Sequence, residues 1–143
     1  MTVAVQVSEV IDRPVADVFQ FYAHNHIRNH PRWDPDMQLE QVSAGSIGVG
    51  TVIRRVNTHS GKPVEGVMKI VEFETNRTFA VEIQDGPVST NGRVTFEPLG
   101  PTRTRITISA EFPGTDDPTL KDRLTPLIQR SARNIKNLVE SEL

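Results

Sequence analysis

The sequence contains no cysteine, which excludes disulfides, thiolate metal sites and cysteine nucleophiles. No apolar run approaches the ~20 residues that a membrane span needs. The N-terminus, Met1-Thr-Val-Ala-Val-Gln-Val7, has neither a basic region nor a long apolar core, so it does not read as a signal peptide. A formal net charge of -2 gives no electrostatic reason to expect nucleic acid or an anionic membrane as partner. No nucleophile elbow or triad spacing is present. Gly45, Gly48 and Gly50 form no phosphate loop, because no lysine–serine pair opens a helix after them. Repeats, linkers and low-complexity tracts are also missing. These absences leave a cytoplasmic protein of one domain, residues 1–143, as the expectation.

At 143 residues and 36% hydrophobic content, the chain can bury roughly two thirds of the surface it exposes unfolded, enough for a core without staples. Val3, Val5 and Val7 alternate with polar or small residues at strand period. Val10 and Ile11 interrupt that phase, which predicts a bulge or a change of buried face near Glu9. A helix is expected from Asp12–Pro14, since proline suits a first turn whose N–H has no intrahelical partner. Val15, Val18, Phe19 and Tyr22 form its apolar stripe. Asn25, Asn29 and Pro31 limit its length, so two short helices are expected, followed by the Pro31-Arg-Trp33-Asp-Pro35 corner that holds the only tryptophan.

Strands with turn chemistry between them follow, at residues 37–42, 51–58, from Val64 past Ile70, 78–84 and 88–97. The clearest alternation places Ile106, Ile108, Ala110 and Phe112 on one face and Arg105, Thr107, Ser109 and Glu111 on the other, the pattern of an antiparallel sheet with one covered face. A long helix closes the chain, expected from Pro118 to Glu142 with Asp117 as its cap. Leu120, Leu124, Leu127, Ser131, Ile135 and Leu138 recur along it at helical spacing, widened by Ile128 and Ala132. Pro126 removes one backbone bond to residue 122 and predicts a bend.

This order, one strand, two short helices, six antiparallel strands and a long helix, resembles the START-like (SRPBCC) superfamily and its bacterial polyketide cyclase/dehydrase-like branch. The residues that carry the resemblance are Ile11-Asp-Arg-Pro14-Val-Ala-Asp-Val18-Phe19, the Pro31–Pro35 corner, Val71-Glu-Phe-Glu-Thr-Asn-Arg77 and Val94-Thr-Phe-Glu-Pro98 with Thr102-Arg-Thr-Arg-Ile-Thr. The resemblance implies an α+β helix-grip fold, a curved antiparallel sheet of about seven strands around the C-terminal helix. It also implies a cavity between them for a small hydrophobic molecule.

The residues themselves ask for such a cover, because the sheet faces bearing Gly66, Met68 and Ile70, and Phe79, Val81 and Ile83, have only the Leu120–Leu138 stripe to meet. Tyr22, Trp33, Met37, Arg54, Met68, Phe79, Val81, Leu124 and Ile128 are the expected cavity residues. Asn25 and His59 are further polar candidates, since such pockets are mostly apolar with a few placed polar groups. Arg54 and Arg55 must point to opposite faces of their strand, and the inward one needs a carboxylate, of the ligand or of a residue such as Glu82. His24, His26 and His30, with Asp34 or Asp36, match no metal motif and read as solvated helix-end residues; no metal or cofactor is expected.

Two functional readings lead. One is a carrier or sensor for a lipid-like, polyketide-like or polycyclic molecule. The other is a cyclase or dehydratase without metal or covalent nucleophile, in which Arg54, Tyr22 and Asp34 manage enolate and proton transfers. A protein-interaction or chaperone-cofactor role is a third, which would need an exposed apolar patch. The chain is read as monomer or homodimer.

Overall fold

The computed structural model describes residues 2–115 and 117–143. Strand β1 (Thr2–Ile11) leads into α1 (Val15–Phe19), a wider-wound segment (Gln20–His24) and α2 (His26–Trp33). Strands β2 (Met37–Gln41), β3 (Val52–Asn57), β4 (Val64–Glu74), β5 (Thr78–Asp85), β6 (Val88–Pro98) and β7 (Thr104–Pro113) follow, and α3 (Leu120–Glu142) ends the chain. The seven strands form one antiparallel sheet in the order β1-β7-β6-β5-β4-β3-β2. Because β1 pairs with the last strand, α3 emerges next to the start of the chain and packs back over the inner face of the sheet. This is the expected helix-grip arrangement. No helix among the described residues is long and apolar enough to cross a membrane.

The bulge expected near Glu9 is absent. β1 pairs with β7 without a shift from Thr2 opposite Pro113 to Ile11 opposite Thr104, and Val5, Val7 and Ile11 are all buried. Odd positions keep the core face throughout, and Val10 is only half-buried on the other side. The register shift lies instead in β4, between Ile70 and Glu72. Before it Gly66, Met68 and Ile70 face inward; after it the phase changes, so Phe73 turns in to meet Phe19 (5.4 Å between ring centroids) and Phe79 (6.1 Å).

The long helix starts at Leu120, two residues later than expected, and runs on through Pro126. Asp117 acts just ahead of it, accepting the Thr119 N–H (2.9 Å) and hydroxyl (2.7 Å). Ala132, Ile135 and Val139 are buried, and Ile135 and Val139 join the core around Ile11, Val18, Phe19, Phe96 and Ile106. Leu120, Leu124, Leu127 and Ile128 are only partly covered. The C-terminal half is also tied down by polar bonds. Lys136 Nζ donates to the Val10 carbonyl (2.7 Å), Glu140 accepts the Asp12 N–H (2.8 Å), and Asn134 donates to the Trp33 carbonyl (3.1 Å). Arg32 pairs with Glu142.

Candidate functional site: a two-chambered cavity under the long helix

In β3 the two-residue period sends Ile53 and Arg55 to the inner face and Arg54 out. Arg54, expected in the cavity, is exposed and bonds Glu65 at 2.7 Å. The inward arginine is Arg55. It lies opposite Gly66 in β4, and Gly66 lies opposite Asp85 in β5, so the Arg55 and Asp85 side chains share a face with one strand between them. Glycine in that middle strand lets them meet. A Cβ at residue 66 would sit 2.1 Å from Asp85 Oδ1 and 2.5 Å from the Gln84 carbonyl oxygen. Across the gap an Arg55 terminal nitrogen donates to Asp85 Oδ2 at 2.9 Å, and Asn57 Nδ2 approaches the same oxygen at 3.3 Å. Glu82, considered as the partner carboxylate, points to solvent. The pair is largely buried, at 6% and 14% side-chain exposure, and Arg55 Nε and Asp85 Oδ1 are buried without a partner. Both residues line the cavity, which leaves a buried, incompletely satisfied pair beside the space for a ligand.

The opposite wall comes from the helical segment. The Asn25 N–H bonds back five residues to the Gln20 carbonyl (3.0 Å), a wider turn than the α-helical one, and Phe21, Tyr22 and Ala23 are all buried there. Side chains from the next helix take two of the carbonyls at this break. Asn29 Nδ2 donates to Phe21 O and His26 Nδ1 to Tyr22 O, both at 2.9 Å. His30 Nδ1 lies 3.0 Å from His26 Nε2. Trp33 stacks on Tyr22 (4.8 Å, 16°) and on His30 (5.1 Å, 16°), so the corner tryptophan braces the wall. Burial, reinforced by the Arg55 charge, lowers the His26 pKa to about 4. Burial, with His26, Arg55 and His59 adding, holds His30 well below the ordinary imidazole value. Burial also raises the Tyr22 phenol.

His26 and His30 are therefore not the solvated helix-end residues that their polarity suggests. Asn25 and Asn29 start and steady α2 so that its i, i+4 histidines face Trp33 and Phe79 instead of water. Of the three helical histidines His24 is the exposed one, edge-on to Phe73 at 5.2 Å. At the mouth, His59 Nδ1 is 2.9 Å from Asp36 Oδ2 and Nε2 is 3.4 Å from Asp34 Oδ2. Donor atoms of Asp34, Asp36 and His59 all lie within 4.8 Å of one another, a set a divalent cation could use, although here the imidazole engages both carboxylates.

These walls enclose two chambers. The outer one, about 660 Å3, lies under the N-terminal half of α3 and is bounded by Leu120, Leu124, Leu127, Val64, Asn57 and His59. The inner one, about 180 Å3, is lined by Tyr22, His26, His30, Trp33, Met68, Phe79 and Val81. Met37, Arg55, Asp34, Ile83, Ile128 and Ser131 line both, so the chambers are continuous. Of the expected cavity residues only Arg54 lies elsewhere, and Asn25 lines a separate surface hollow beside Glu142. Sequence reasoning missed Asp85, His26 and His30 and left Arg55 undecided. The i, i+4 histidine spacing was the one visible signal for the inner wall.

A family model described as polyketide cyclase / dehydrase and lipid transport matches residues 2–140. The chain belongs to this family. Among solved structures it is similar to a START superfamily protein from Mycobacterium smegmatis, with a TM-score of 0.82 at 14% identity, covering 98% of this chain and 99% of that one. Ara h 8.0201 gives 0.79 at 17% identity, with 99% and 100% covered. The Zhui aromatase/cyclase from Streptomyces sp. R1128 gives 0.73 at 16%, with 99% and 93% covered. No curated protein matches the chain at the sequence level. At these identities the structural likeness establishes the helix-grip fold alone, while the chemistry must be argued from the cavity.

Proposed function

We propose that the protein binds a small hydrophobic molecule in the cavity between the sheet and α3, anchoring a polar group of that molecule at Arg55 and Asp85. The observation that carries this reading is the outer chamber of about 660 Å3. Its volume falls within the range of ligand pockets, and its few polar groups converge while the remaining wall is mostly apolar. An arginine on the wall shared by both chambers suits a carbonyl, enolate or carboxylate oxygen. Displacement of 1-anilinonaphthalene-8-sulfonate by a panel of fatty acids, polycyclic aromatics and polyketide-like phenones tests it. Binding by the wild type, and its weakening in a folded Ile128→Trp variant that obstructs the wall shared by the two chambers, is the expected result. Failure of the wild type to bind any panel member, with native mass spectrometry finding no bound hydrophobe, would overturn the reading.

A second reading is a cyclase or dehydratase acting on a carbonyl substrate in the same cavity. The observation favouring it is that Arg55 and Asp34 line both chambers, with Asp34 Oδ1 buried and unpartnered. An oxyanion would face Arg55 while the carboxylate exchanges a proton, chemistry that rests on positioning and electrostatics rather than a nucleophile. Turnover of a poly-β-ketone that survives unchanged in both Arg55→Gln and Asp34→Asn would rule this mechanism out. The reading that needs an exposed apolar docking patch gains no comparable support.

A further inference from the structure

We propose that the His26–His30 pair makes the inner chamber an acceptor site for an aromatic hydroxyl, so that the favoured ligands are hydrophobes carrying a phenol. This rests on the binding reading above and names the ligand chemistry of the same cavity.

The argument is a count of protons. A carbonyl oxygen only accepts, so the 2.9 Å contact between Tyr22 O and His26 Nδ1 requires the proton on Nδ1. His26 is 1% exposed and neutral, so its Nε2 holds a lone pair. The His30 Nδ1 that lies 3.0 Å from that lone pair must then donate and carry the ring's proton. His30 is neutral too, and its remaining nitrogen, Nε2, is left bare. One backbone carbonyl thus fixes the tautomers of two rings in series and delivers an acceptor to a residue that lines the inner chamber. Without the His26 link, His30 would exchange freely between tautomers and offer either a donor or an acceptor.

A lone pair inside an apolar chamber selects by chemistry. At this nitrogen a carboxylate is repelled, a carbonyl or ether finds no donor and must turn to Arg55 on the shared wall, and a hydroxyl is satisfied. Tyr22, Trp33 and Phe79 line the same chamber and add the preference for an aromatic ring. Size agrees. An apolar cavity of about 150 Å3 accepts a benzene ring, so an inner chamber of about 180 Å3 holds one ring while its substituent extends past Met37 and Ile128 into the outer chamber. The hydroxyl meets His30, and Arg55, on the shared wall, remains free for a second polar group.

Two measurements on the intact chain test this. Imidazole nitrogen NMR of the wild type at pH 7 should show both His26 and His30 protonated on Nδ1, with Nε2 of His30 unprotonated. Dye displacement by 4-butylphenol, 4-butylanisole and butylbenzene should then give a phenol-to-anisole affinity ratio about tenfold higher in the wild type than in His30→Phe. Equal ratios in the two proteins, or a proton on His30 Nε2, overturn the hydroxyl site while leaving the container reading intact, because all three probes still bind. Failure of the wild type to bind any of the three overturns both. The spectrum needs no variant and decides the tautomer even where His30→Phe does not fold.

Discussion

The two halves of α3 carry the same apolar spacing and do opposite things. From Ala132 onward the stripe is core: Ile135 and Val139 are fully buried, and Lys136, Glu140 and Asn134 fasten that half to β1, the loop after it and the corner at Trp33. Before Ser131 the same kind of stripe is a roof. Leu124, Leu127 and Ile128 are partly exposed and look onto empty volume, and the polar bonds there are local, Asp117 with Thr119 and Arg123 and Thr125 with Lys121. One helix is therefore an anchor at one end and a cover at the other. Packing that would stabilise the cover would also fill the binding space.

The sharpest break in this comparison is Ile135→Ala. It removes a fully buried side chain from a fastened region with little room to relax, and a loss of about 4 kcal/mol is expected from urea unfolding. The folded fraction should keep its probe affinity, because residue 135 lines neither chamber. A change in affinity with no change in stability would mean that the two halves are not separate in role.

Gly66→Ala comes next and attacks the cavity from the sheet side. Its methyl group would overlap both the Asp85 carboxylate and a backbone oxygen of β5. Moving the side chain alone does not relieve the clash, and about 3 kcal/mol of stability should be lost. Replacing Gly66 by Ala together with Asp85 by Ala should recover only part of it, since the Gln84 carbonyl stays in place. Full recovery would show that the strand spacing is softer than its register implies.

Protonation should weaken the inner wall while leaving the anchored end alone. The folded-state pKa of His26 is lowered to about 4 by burial, against about 6.5 unfolded. Its contribution is therefore complete above pH 6.5 and is lost as the pH falls toward 4, because the unfolded chain binds the proton first. Between pH 7 and pH 5 the unfolding free energy should drop by about 2 kcal/mol from His26, and His30, shifted the same way, adds to it. Glu140 and Glu142, whose pKa values are lowered by the Asp12 N–H and by Arg32 respectively, stay ionised across this window. Flattening of the slope in His26→Gln assigns it; an unchanged slope would remove the buried imidazoles as its source.

The strands were legible because their residues obey one local rule each. Ile106 to Phe112 alternate without exception, and the Pro31–Pro35 corner announces itself. The arginine pair was half-legible. Opposite faces follow from the two-residue period, but which face is inner depends on Gly66 and Asp85, one and two strands away in space and 11 and 30 residues away in sequence. His26 and His30 misled for a related reason. Polar side chains near a helix end read as solvated, and only the closure of α2 onto Phe79 takes His26 out of water, while Trp33 of the same helix stacks over His30. The family resemblance supplied the cavity as an expectation, while the apolar stripe of α3 says that the helix is covered and not how tightly.

The smallest expected effect on stability is the most informative about the roof. Leu124→Ala removes the same atoms from an apolar helix position as a core truncation would, yet the space beneath residue 124 is already open. No new cavity is created, so only the transfer term for a partly covered side chain is lost, less than about 1 kcal/mol. Binding should respond more than folding. A hydrophobe in the outer chamber loses contacts worth about 1 kcal/mol, or about fivefold in affinity. Urea melts and dye titrations on the same samples separate the two. A stability loss near that of Ile135→Ala would mean that the roof closes onto the sheet in solution, and the chamber would then have to open to admit a ligand.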